Sequence, residues 1–347
     1  MKLVTFEVKT PVGVFTRIGA LSFDRIVDLR TAYASYLFYD KAEDDAYAIA
    51  DFTIPLDMIE YLKRGNSARE ASEEALDFVQ VSLKTESGFK GPNDERITYS
   101  RQEVKLLAPI PKPTHMRDFL GFLKHYETML KRRGKTVPEI FYDIPIYHKC
   151  NTNLVAGPDD PILWPSYTNK LDYEFEYAMC IGKKGTDIPG SKAVEYIAGY
   201  TILNDLSARD RQKAEMESNM GPAKGKDFNN GYIMGPCLVT ADELHHRIRN
   251  LRMIAKINDE VVTDGNTGTM QFTWEEIIEY CSQDETLHPG EVFGSGAVGG
   301  GCGSENDKWI KPGDTVEFEI EGIGVLRNKV VKTKDTKLWK GKYWRAT

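Results

Sequence analysis

The chain has 347 residues, enough for two ordinary domains, and its 41% hydrophobic and 28% charged residues are typical of a globular protein. This composition excludes a disordered or collagen-like chain. The net charge is −7, from 45 basic and 52 acidic residues, which argues against a nucleic-acid partner because such binding depends on clustered Lys and Arg.

Two further features concern the cellular environment. No stretch approaches the roughly 18 consecutive apolar residues of a membrane-spanning helix, and the first residues lack the apolar core of a signal peptide. The five cysteines are far apart and none forms a CxxC pair, so neither a disulfide framework nor a zinc cluster is predicted. We therefore expect a soluble, cytoplasmic protein with no membrane partner.

The first hundred residues predict a separate, smaller α/β unit. Apolar and polar residues alternate over 3–8 and 14–18, which predicts two strands, and residues 68–85 have the apolar spacing of a helix. Ser67 and Glu70 are spaced as a capping box at the start of that helix. Three prolines between 109 and 113 can continue neither a helix nor a central strand. The predicted organisation is therefore an N-terminal α/β domain over 1–105, a proline-rich connector over 106–113 and a larger domain over 114–347.

Strand patterns dominate the larger domain. Strands are predicted over 173–181, 251–257 and 315–321, with an Asp264-Gly265 turn after the second. A helix is predicted over 273–283, where Thr273 and Glu276 form a capping box. Short strands with scattered helices indicate an α+β fold that is mostly β, rather than an alternating βαβ sheet.

The segment LDYEFEY at 171–177 is the most informative candidate for a functional site. In a strand, Glu174 and Glu176 project to one side and the three aromatic side chains project to the other. Two carboxylates on one face repel each other unless they are solvated or share a cation, so an exposed acidic face and a metal site both remain open. Asp205 is a third candidate carboxylate. It ends an apolar run and precedes a polar helix, a strand-end position where site residues often lie.

Several motifs, taken in order, resemble those of the fumarylacetoacetate hydrolase superfamily. The strand with the Glu-x-Glu pair at 174–176 (the ExE strand) is followed by NDLSARD at 204–210 and by the glycine-broken loop GPAKGKDF at 221–228. This loop lacks the pattern of a phosphate-binding loop. Further matches are LLAPIPKP at 106–113, the NDE and DGNT segments between 258 and 267, LHPGE at 287–291 and KPGD at 311–314. The resemblance covers about residues 106–332 and implies a fumarylacetoacetase-like mixed β-sandwich roll for the C-terminal, catalytic domain.

The resemblance also implies one bound divalent cation, Mg²⁺ or alternatively Ca²⁺ or Mn²⁺, held by an ExE pair and two aspartates. In this sequence the matching positions are Asp118, Glu174, Glu176 and Asp205.

The same resemblance implies an acid–base group and substrate contacts. His125 follows Asp118 by seven residues, as the general base does in the fumarylacetoacetase branch, and Glu305 matches the glutamate that supports this base. Lys226 matches the lysine of the GKxF motif, which lies near the developing oxyanion. The substrate-binding positions match Tyr147 and Gln212.

Two departures from that branch indicate a substrate other than fumarylacetoacetate. Met216 stands where the branch has a second substrate-contacting tyrosine. No residue of this sequence aligns directly with the arginine that the branch carries between its histidine and its tyrosine. Arg132 or Arg133 could take its place if the alignment is shifted.

The expected function is a metal-dependent hydrolase that cleaves a C–C bond of a 1,3-dicarbonyl acid, an acylpyruvate or a fumarylacetoacetate-like compound, in aromatic catabolism. The alternative is a lyase, dehydratase, decarboxylase or isomerase that acts on a 2-oxo acid through an enolate. Because only the hydrolase must activate water, the His–Glu pair favours hydrolysis. A homodimer is expected because the family is commonly homodimeric.

Overall fold

The computed structural model describes residues 1–22, 24–86 and 88–334. The described residues contain more strand than helix, which confirms the predicted α+β, mostly β fold. The strands are β1 (Lys2–Thr10), β2 (Gly13–Ser22), β3 (Arg25–Asp28), β4 (Thr98–Tyr99), β5 (Lys105–Leu106), β6 (Met116–Phe119), β7 (Tyr147–Lys149), β8 (Val155–Ala156), β9 (Ile162–Trp164), β10 (Leu171–Asp172), β11 (Phe175–Ile181), β12 (Ile197–Asp205), β13 (Ser207–Ala208), β14 (Tyr232–Thr240), β15 (Arg252–Ile257), β16 (Glu260–Asn266), β17 (Val292–Gly294), β18 (Thr315–Ile320) and β19 (Gly324–Lys332). The α-helices are α1 (Leu29–Tyr39), α2 (Ala46–Thr53), α3 (Met58–Arg64), α4 (Asn66–Thr85), α5 (Leu123–Lys131), α6 (Ile140–Asp143), α7 (Arg209–Met216), α8 (Ala241–Leu244), α9 (Trp274–Ser282) and α10 (Gly303–Asn306).

One long sheet runs through the molecule in the order β4-β3-β2-β1-β14-β12-β11-β17-β6-β7, and β5 and β8 pair with β1 and β14. Strand β1 joins the two parts of the chain, since Leu3 lies opposite Leu238 of β14. A second sheet has the order β16-β15-β18-β19-β9. The N-terminal strands β1 to β4 therefore extend the sheet that carries the candidate site residues.

The proline-rich segment packs against this sheet. The Thr5 hydroxyl donates to the backbone carbonyl of Pro109 over 2.7 Å, and the Leu107 amide donates to the carbonyl of Thr5 over 2.9 Å. Ala108 and Ile110 are buried. The connector is thus held along β1, and the division of the chain into two domains stays a prediction.

The apolar core between the two sheets explains why the ExE strand has one acidic and one aromatic side. The Phe175 ring stacks on Phe318 of β18 with centroids 4.3 Å apart, and Tyr177 meets Trp274 of α9 edge-on at 5.3 Å. The strand begins at Phe175 rather than at Tyr173. Its acidic residues consequently face away from this aromatic core.

Two local predictions were wrong. The Asp264-Gly265 pair lies inside β16 and pairs with β15, and the turn is formed by Asn258 and Asp259, which both adopt positive φ as this hairpin turn requires. The capping box at Ser67 is also absent, because α3 ends at Arg64 and only one glycine separates it from α4, so Ser67 is already helical and donates to the Arg64 carbonyl.

The capping box of α9 is confirmed. The Thr273 side chain accepts from the Glu276 amide, and the Glu276 carboxylate accepts from the Thr273 amide. Within the described part of the chain, no helix combines the length and apolar character needed to cross a membrane.

Candidate active site

The four predicted carboxylate ligands come together on one face of the long sheet. Asp118 lies in β6, Glu176 in β11 and Asp205 at the end of β12, while Glu174 immediately precedes β11. Strands β12, β11, β17 and β6 are neighbours in this order, so side chains that are distant in sequence meet above them.

Two glycines permit this approach. A Cβ atom on Gly294 of β17 would lie 2.6 Å from the Asp118 Oδ1 atom and 2.9 Å from the Glu176 Oε2 atom. The Gly296 amide donates to both carboxylates, over 3.2 Å and 3.1 Å, and its φ of +80° favours glycine. Gly294 therefore leaves room for the two acidic side chains, and the Gly296 amide, as a donor to both, holds them side by side.

The electrostatics of this cluster suit a divalent cation. All four carboxylates are at least 94% buried. Burial and the neighbouring negative charges raise the pKa of both Asp118 and Glu176 well above ordinary carboxyl values. One oxygen of Glu176 and one of Asp205 are buried without a hydrogen-bond partner. Hard, unsatisfied carboxylate oxygens are the donors that Mg²⁺, Ca²⁺ and Mn²⁺ prefer, so the residues fit such an ion.

Two buried cations border the cluster. The Lys226 ammonium donates to the carboxylates of Glu174 and Asp205. Burial alone would lower the pKa of Lys226, but these two negative charges raise it above its ordinary value. The Arg209 guanidinium donates to Glu174 over 2.8 Å and to Asp172 over 2.8 Å. Burial would raise the pKa of Glu174, yet Arg209 and Lys226 lower it, so this carboxylate is held ionised.

The predicted acid–base pair forms as a direct contact. The His125 Nδ1 atom lies 2.8 Å from the Glu305 Oε2 atom, and its Nε2 atom lies 3.9 Å from Glu174 Oε1. Burial would raise the pKa of Glu305, but the bond to His125 lowers it. The His125 imidazole of helix α5 is therefore held between the Glu305 carboxylate and the four-carboxylate cluster.

A buried aspartate anchors the short helix that carries Glu305. Asp172 accepts hydrogen bonds from the amides of Gly303 and Ser304 over 2.7 Å and 3.1 Å. Because Arg209 forms ion pairs with both Asp172 and Glu174, this one arginine links the helix that carries Glu305 to the carboxylate cluster. The sequence reasoning assigned no role to Arg209, although it lies within the NDLSARD motif.

His148 also borders the cluster, although the sequence motifs assigned no role to it. It lies opposite Asp118 in the β6–β7 pair, and its ring nitrogens lie 3.7 Å from Asp118 Oδ2 and 3.9 Å from Asp205 Oδ2. Burial lowers the pKa of His148. No local pattern marks His148 as a site residue, because its position follows from the register that sets it opposite Asp118 in the neighbouring strand.

The two predicted substrate-binding residues have different surroundings. The Tyr147 ring packs on Phe119 at 5.1 Å, and the Arg117 guanidinium lies 5.5 Å from its centroid. Gln212 accepts a hydrogen bond from Arg209 over 3.0 Å. Both residues border the pocket described next, and their substrate-binding roles stay predictions.

A pocket of about 570 Å³ is bordered by two of the four carboxylates, Asp118 and Glu174, and by His125. The remaining lining includes the polar side chains of His148 and Lys226 and the apolar side chains of Met216 and Met220. The walls thus combine carboxylates, cations and apolar surface, which suits a small organic acid.

The fold and the cluster of buried carboxylates are of the type expected from the sequence motifs. The family model described as "Fumarylacetoacetate (FAA) hydrolase C-terminal" matches residues 114–331, and the chain belongs to this family.

Known proteins similar to this chain differ in their named activities. Oxaloacetate tautomerase Fahd2a, mitochondrial, from Rattus norvegicus is 32% identical over 282 residues, which cover 81% of this chain and 82% of that protein. The fumarylacetoacetate hydrolase structure from Exiguobacterium antarcticum has a TM-score of 0.66 at 23% identity and covers 95% of this chain and 100% of its own. The maleylpyruvate hydrolase structure from Sphingobium sp. SYK-6, in complex with manganese(II) ion and pyruvate, has a TM-score of 0.65 at 19% identity, with coverage of 96% and 100%. At these identities the two structures establish the fold.

Proposed function

We propose that this protein is a divalent-cation-dependent enzyme that acts on a 2-oxo acid through its enolate, with His125 as the proton-transfer group. The observation that carries this proposal is the placement of the His125 imidazole between Glu305 and Glu174, at the edge of four buried carboxylates. A cation bound by Asp118, Glu174, Glu176 and Asp205 would polarise the 2-oxo group and stabilise enolate charge.

The residues of the chain supply the rest of the chemistry. Glu305 bonds the Nδ1 side of His125, which orients the ring and stabilises its protonated form after it accepts a proton at Nε2. Lys226 is buried next to Glu174 and Asp205, so its positive charge acts in a partly dry site where it stabilises a developing oxyanion more than it would in water.

Keto–enol tautomerisation of a 2-oxo diacid is the reaction that we favour. In this reaction a base removes a proton from the carbon next to the 2-oxo group, and a proton returns to the oxygen, so that no bond of the carbon skeleton breaks. The support is the 32% identity to oxaloacetate tautomerases over four fifths of this chain, whereas the named hydrolases match below 25% identity.

The second candidate is hydrolysis of a C–C bond in a 1,3-dicarbonyl acid such as an acylpyruvate. His125 would take a proton from water, hydroxide would add to the carbonyl carbon, and the electron pair of the broken bond would pass to the enolate. The contact between His125 and Glu305 supports this reaction as well, because it provides the base that water activation needs.

One experiment separates the two reactions. The protein loaded with Mg²⁺ is mixed with freshly dissolved enol oxaloacetate while the ultraviolet absorption of the enol is followed, and a panel of acylpyruvates is analysed by mass spectrometry. Faster loss of the enol without a change of mass supports the tautomerase, and a gain of water with cleavage supports the hydrolase. The absence of both activities in the presence of Mg²⁺, Mn²⁺ or Ca²⁺ would contradict the proposal.

The identity of the ion and the homodimer are parts of the same proposal. Metal analysis of the purified protein tests the ion. Light scattering coupled to size-exclusion chromatography tests the dimer.

A further inference from the structure

A buried thiol adjoins the acid–base pair, and neither the proposed reaction nor the predicted ion uses it. The Cys302 Sγ atom lies 3.2 Å from Glu305 Oε2 and 3.9 Å from His125 Nδ1, and these last two atoms are 2.8 Å apart. All three residues are more than 90% buried. Their sulfur, nitrogen and oxygen atoms therefore form a compact triangle behind the histidine ring.

This triangle has the size of three ligands around one tetrahedral ion. Zinc bonds of about 2.0–2.3 Å to oxygen, nitrogen and sulfur place neighbouring ligand atoms roughly 3.3–3.8 Å apart. The observed separations of 2.8 Å, 3.2 Å and 3.9 Å bracket this range, so an opening of about half an ångström between His125 and Glu305 would admit the ion. We propose that His125, Cys302 and Glu305 form a binding site for a thiophilic divalent ion, Zn²⁺ or Cd²⁺.

Charge and backbone geometry support this site. A thiolate and a carboxylate together neutralise a divalent ion, which a buried position requires, and binding of the ion displaces the thiol proton into solvent. The backbone of Cys302 pairs with that of Glu174, while the amides after Cys302 donate to Asp172. The sulfur is thus held in place relative to the histidine by contacts on both sides.

The proposed site differs in chemistry from the carboxylate cluster. The four carboxylates of the cluster offer oxygen donors and lie toward the Nε2 side of His125, whereas the triangle contains sulfur and lies on the Nδ1 side. Hard Mg²⁺ prefers the first donor set and Zn²⁺ or Cd²⁺ prefers the second. The histidine ring separates the two sites, so both ions bind one chain together.

The consequence, which rests on the proposed function, is inhibition by the thiophilic ion. A neutral imidazole that coordinates a metal through Nδ1 carries its proton on Nε2. Such a ring cannot accept a proton on the side that faces Glu174. Zn²⁺ should therefore stop proton transfer even when Mg²⁺ is saturating.

The test uses Co²⁺ as a spectroscopic substitute for Zn²⁺ in the Mg²⁺-saturated, full-length protein. A thiolate ligand produces a near-ultraviolet charge-transfer absorption on cobalt, which no carboxylate or imidazole ligand produces. We expect this absorption in the wild type at one Co²⁺ per chain and its loss on addition of Zn²⁺. It should be absent in Cys302→Ser.

Two matched variants control for the other thiols. Cys150 lies 3.7 Å from the His148 ring, and Cys281 is buried in α9. Both Cys150→Ser and Cys281→Ser should keep the charge-transfer absorption. Circular dichroism confirms that each variant is folded.

Persistence of the absorption in Cys302→Ser, or its loss only in Cys150→Ser, would overturn the proposal. Displacement of Co²⁺ by excess Mg²⁺ would also overturn it, because the ion would then occupy the carboxylate cluster. These readouts need no substrate, so they are independent of the proposed reaction. If the absorption appears as expected but the protein has no oxo-acid activity, the metal site stands and the proposed function fails.

Discussion

At the scale of single residues, the structure distinguishes side chains that look alike in the sequence. Glu174 is buried against Arg209 and Lys226, whereas Glu317 of β18 pairs with Lys256 and retains some solvent exposure. Lys226 is buried, but Lys224, two positions earlier, is exposed and donates to a backbone carbonyl. Such pairs provide matched variants for the predictions that follow.

The metal-ligand assignment is tested by comparing Glu174→Gln with Glu317→Gln. Loss of one buried carboxylate removes a ligand oxygen and one negative charge, so the affinity for Mn²⁺ should fall strongly in the first variant and stay unchanged in the second. Isothermal titration calorimetry measures both affinities. Equal affinities would show that Glu174 is not a ligand.

The proton-transfer role is tested by His125→Ala. We expect kcat to fall by about 10²–10⁴, the usual scale for a lost acid–base group, while the affinity for Mg²⁺ is retained. His288 is exposed and supplies the control, since His288→Ala should leave kcat unchanged. Normal turnover by His125→Ala on a confirmed substrate would exclude the histidine as the base.

The two lysines of the glycine-broken loop should differ in their importance. Lys226→Met should lower kcat by about 10²–10³, on the scale of one oxyanion donor, because its ammonium is buried beside the Glu174 and Asp205 carboxylates. Lys224→Met should change kcat by less than about threefold, or roughly 0.6 kcal/mol. Steady-state kinetics on both variants check this, and the reverse order of sensitivity would refute the assignment.

At the scale of elements, the site depends on the close approach of β6, β17 and β11. Strand β17 places Gly294 between Asp118 and Glu176, and the parallel pairing with β6 sets Gly294 directly opposite Asp118. Helix α10 is similarly positioned, because Asp172 holds its first amides. The site is thus built where neighbouring elements meet.

The substitution Gly294→Ala should therefore weaken the affinity for the divalent ion at least tenfold. Its methyl group would lie 2.6 Å from an Asp118 oxygen, so the carboxylates must separate. Gly190→Ala is the control, because the group nearest to its methyl is the flexible Glu279 carboxylate at 3.0 Å. Calorimetry on both variants measures the effect, and unchanged affinity in Gly294→Ala would show that the strand spacing is not required.

At the scale of the whole molecule, ion binding should stabilise the fold. The four carboxylates repel each other when no ion is bound, and the unfolded chain does not hold them together, so an ion at about 100 times its Kd should add roughly 2.7 kcal/mol. Thermal unfolding followed with Mg²⁺ and then with excess chelator should show a lower Tm after chelation. The Glu174→Gln variant should lose most of this difference. An equal Tm of the wild type with and without the ion would contradict a buried metal site.

What the sequence determined by itself is mostly local in origin. The capping box of α9 and the alternation along β18 follow from neighbouring residues, and the same is true of the two faces of β11. The ordered motifs indicated the family and named the carboxylates that the structure brings together. Their chemical roles stay predictions, because proximity shows what a group can contact and not which reaction it performs.

Only the tertiary structure decided the contacts between distant segments. Local patterns carry no information on the approach of Cys302 to His125, on the link that Arg209 makes to Asp172, or on the pairing of β1 with β14. The hairpin turn shows the same limit at short range, since both candidate pairs are turn formers and strand register selected Asn258-Asp259 over Asp264-Gly265. The physical reason is that strand pairing and burial act on the whole chain at once, so side chains far apart in sequence become neighbours only when the sheet closes around a common core.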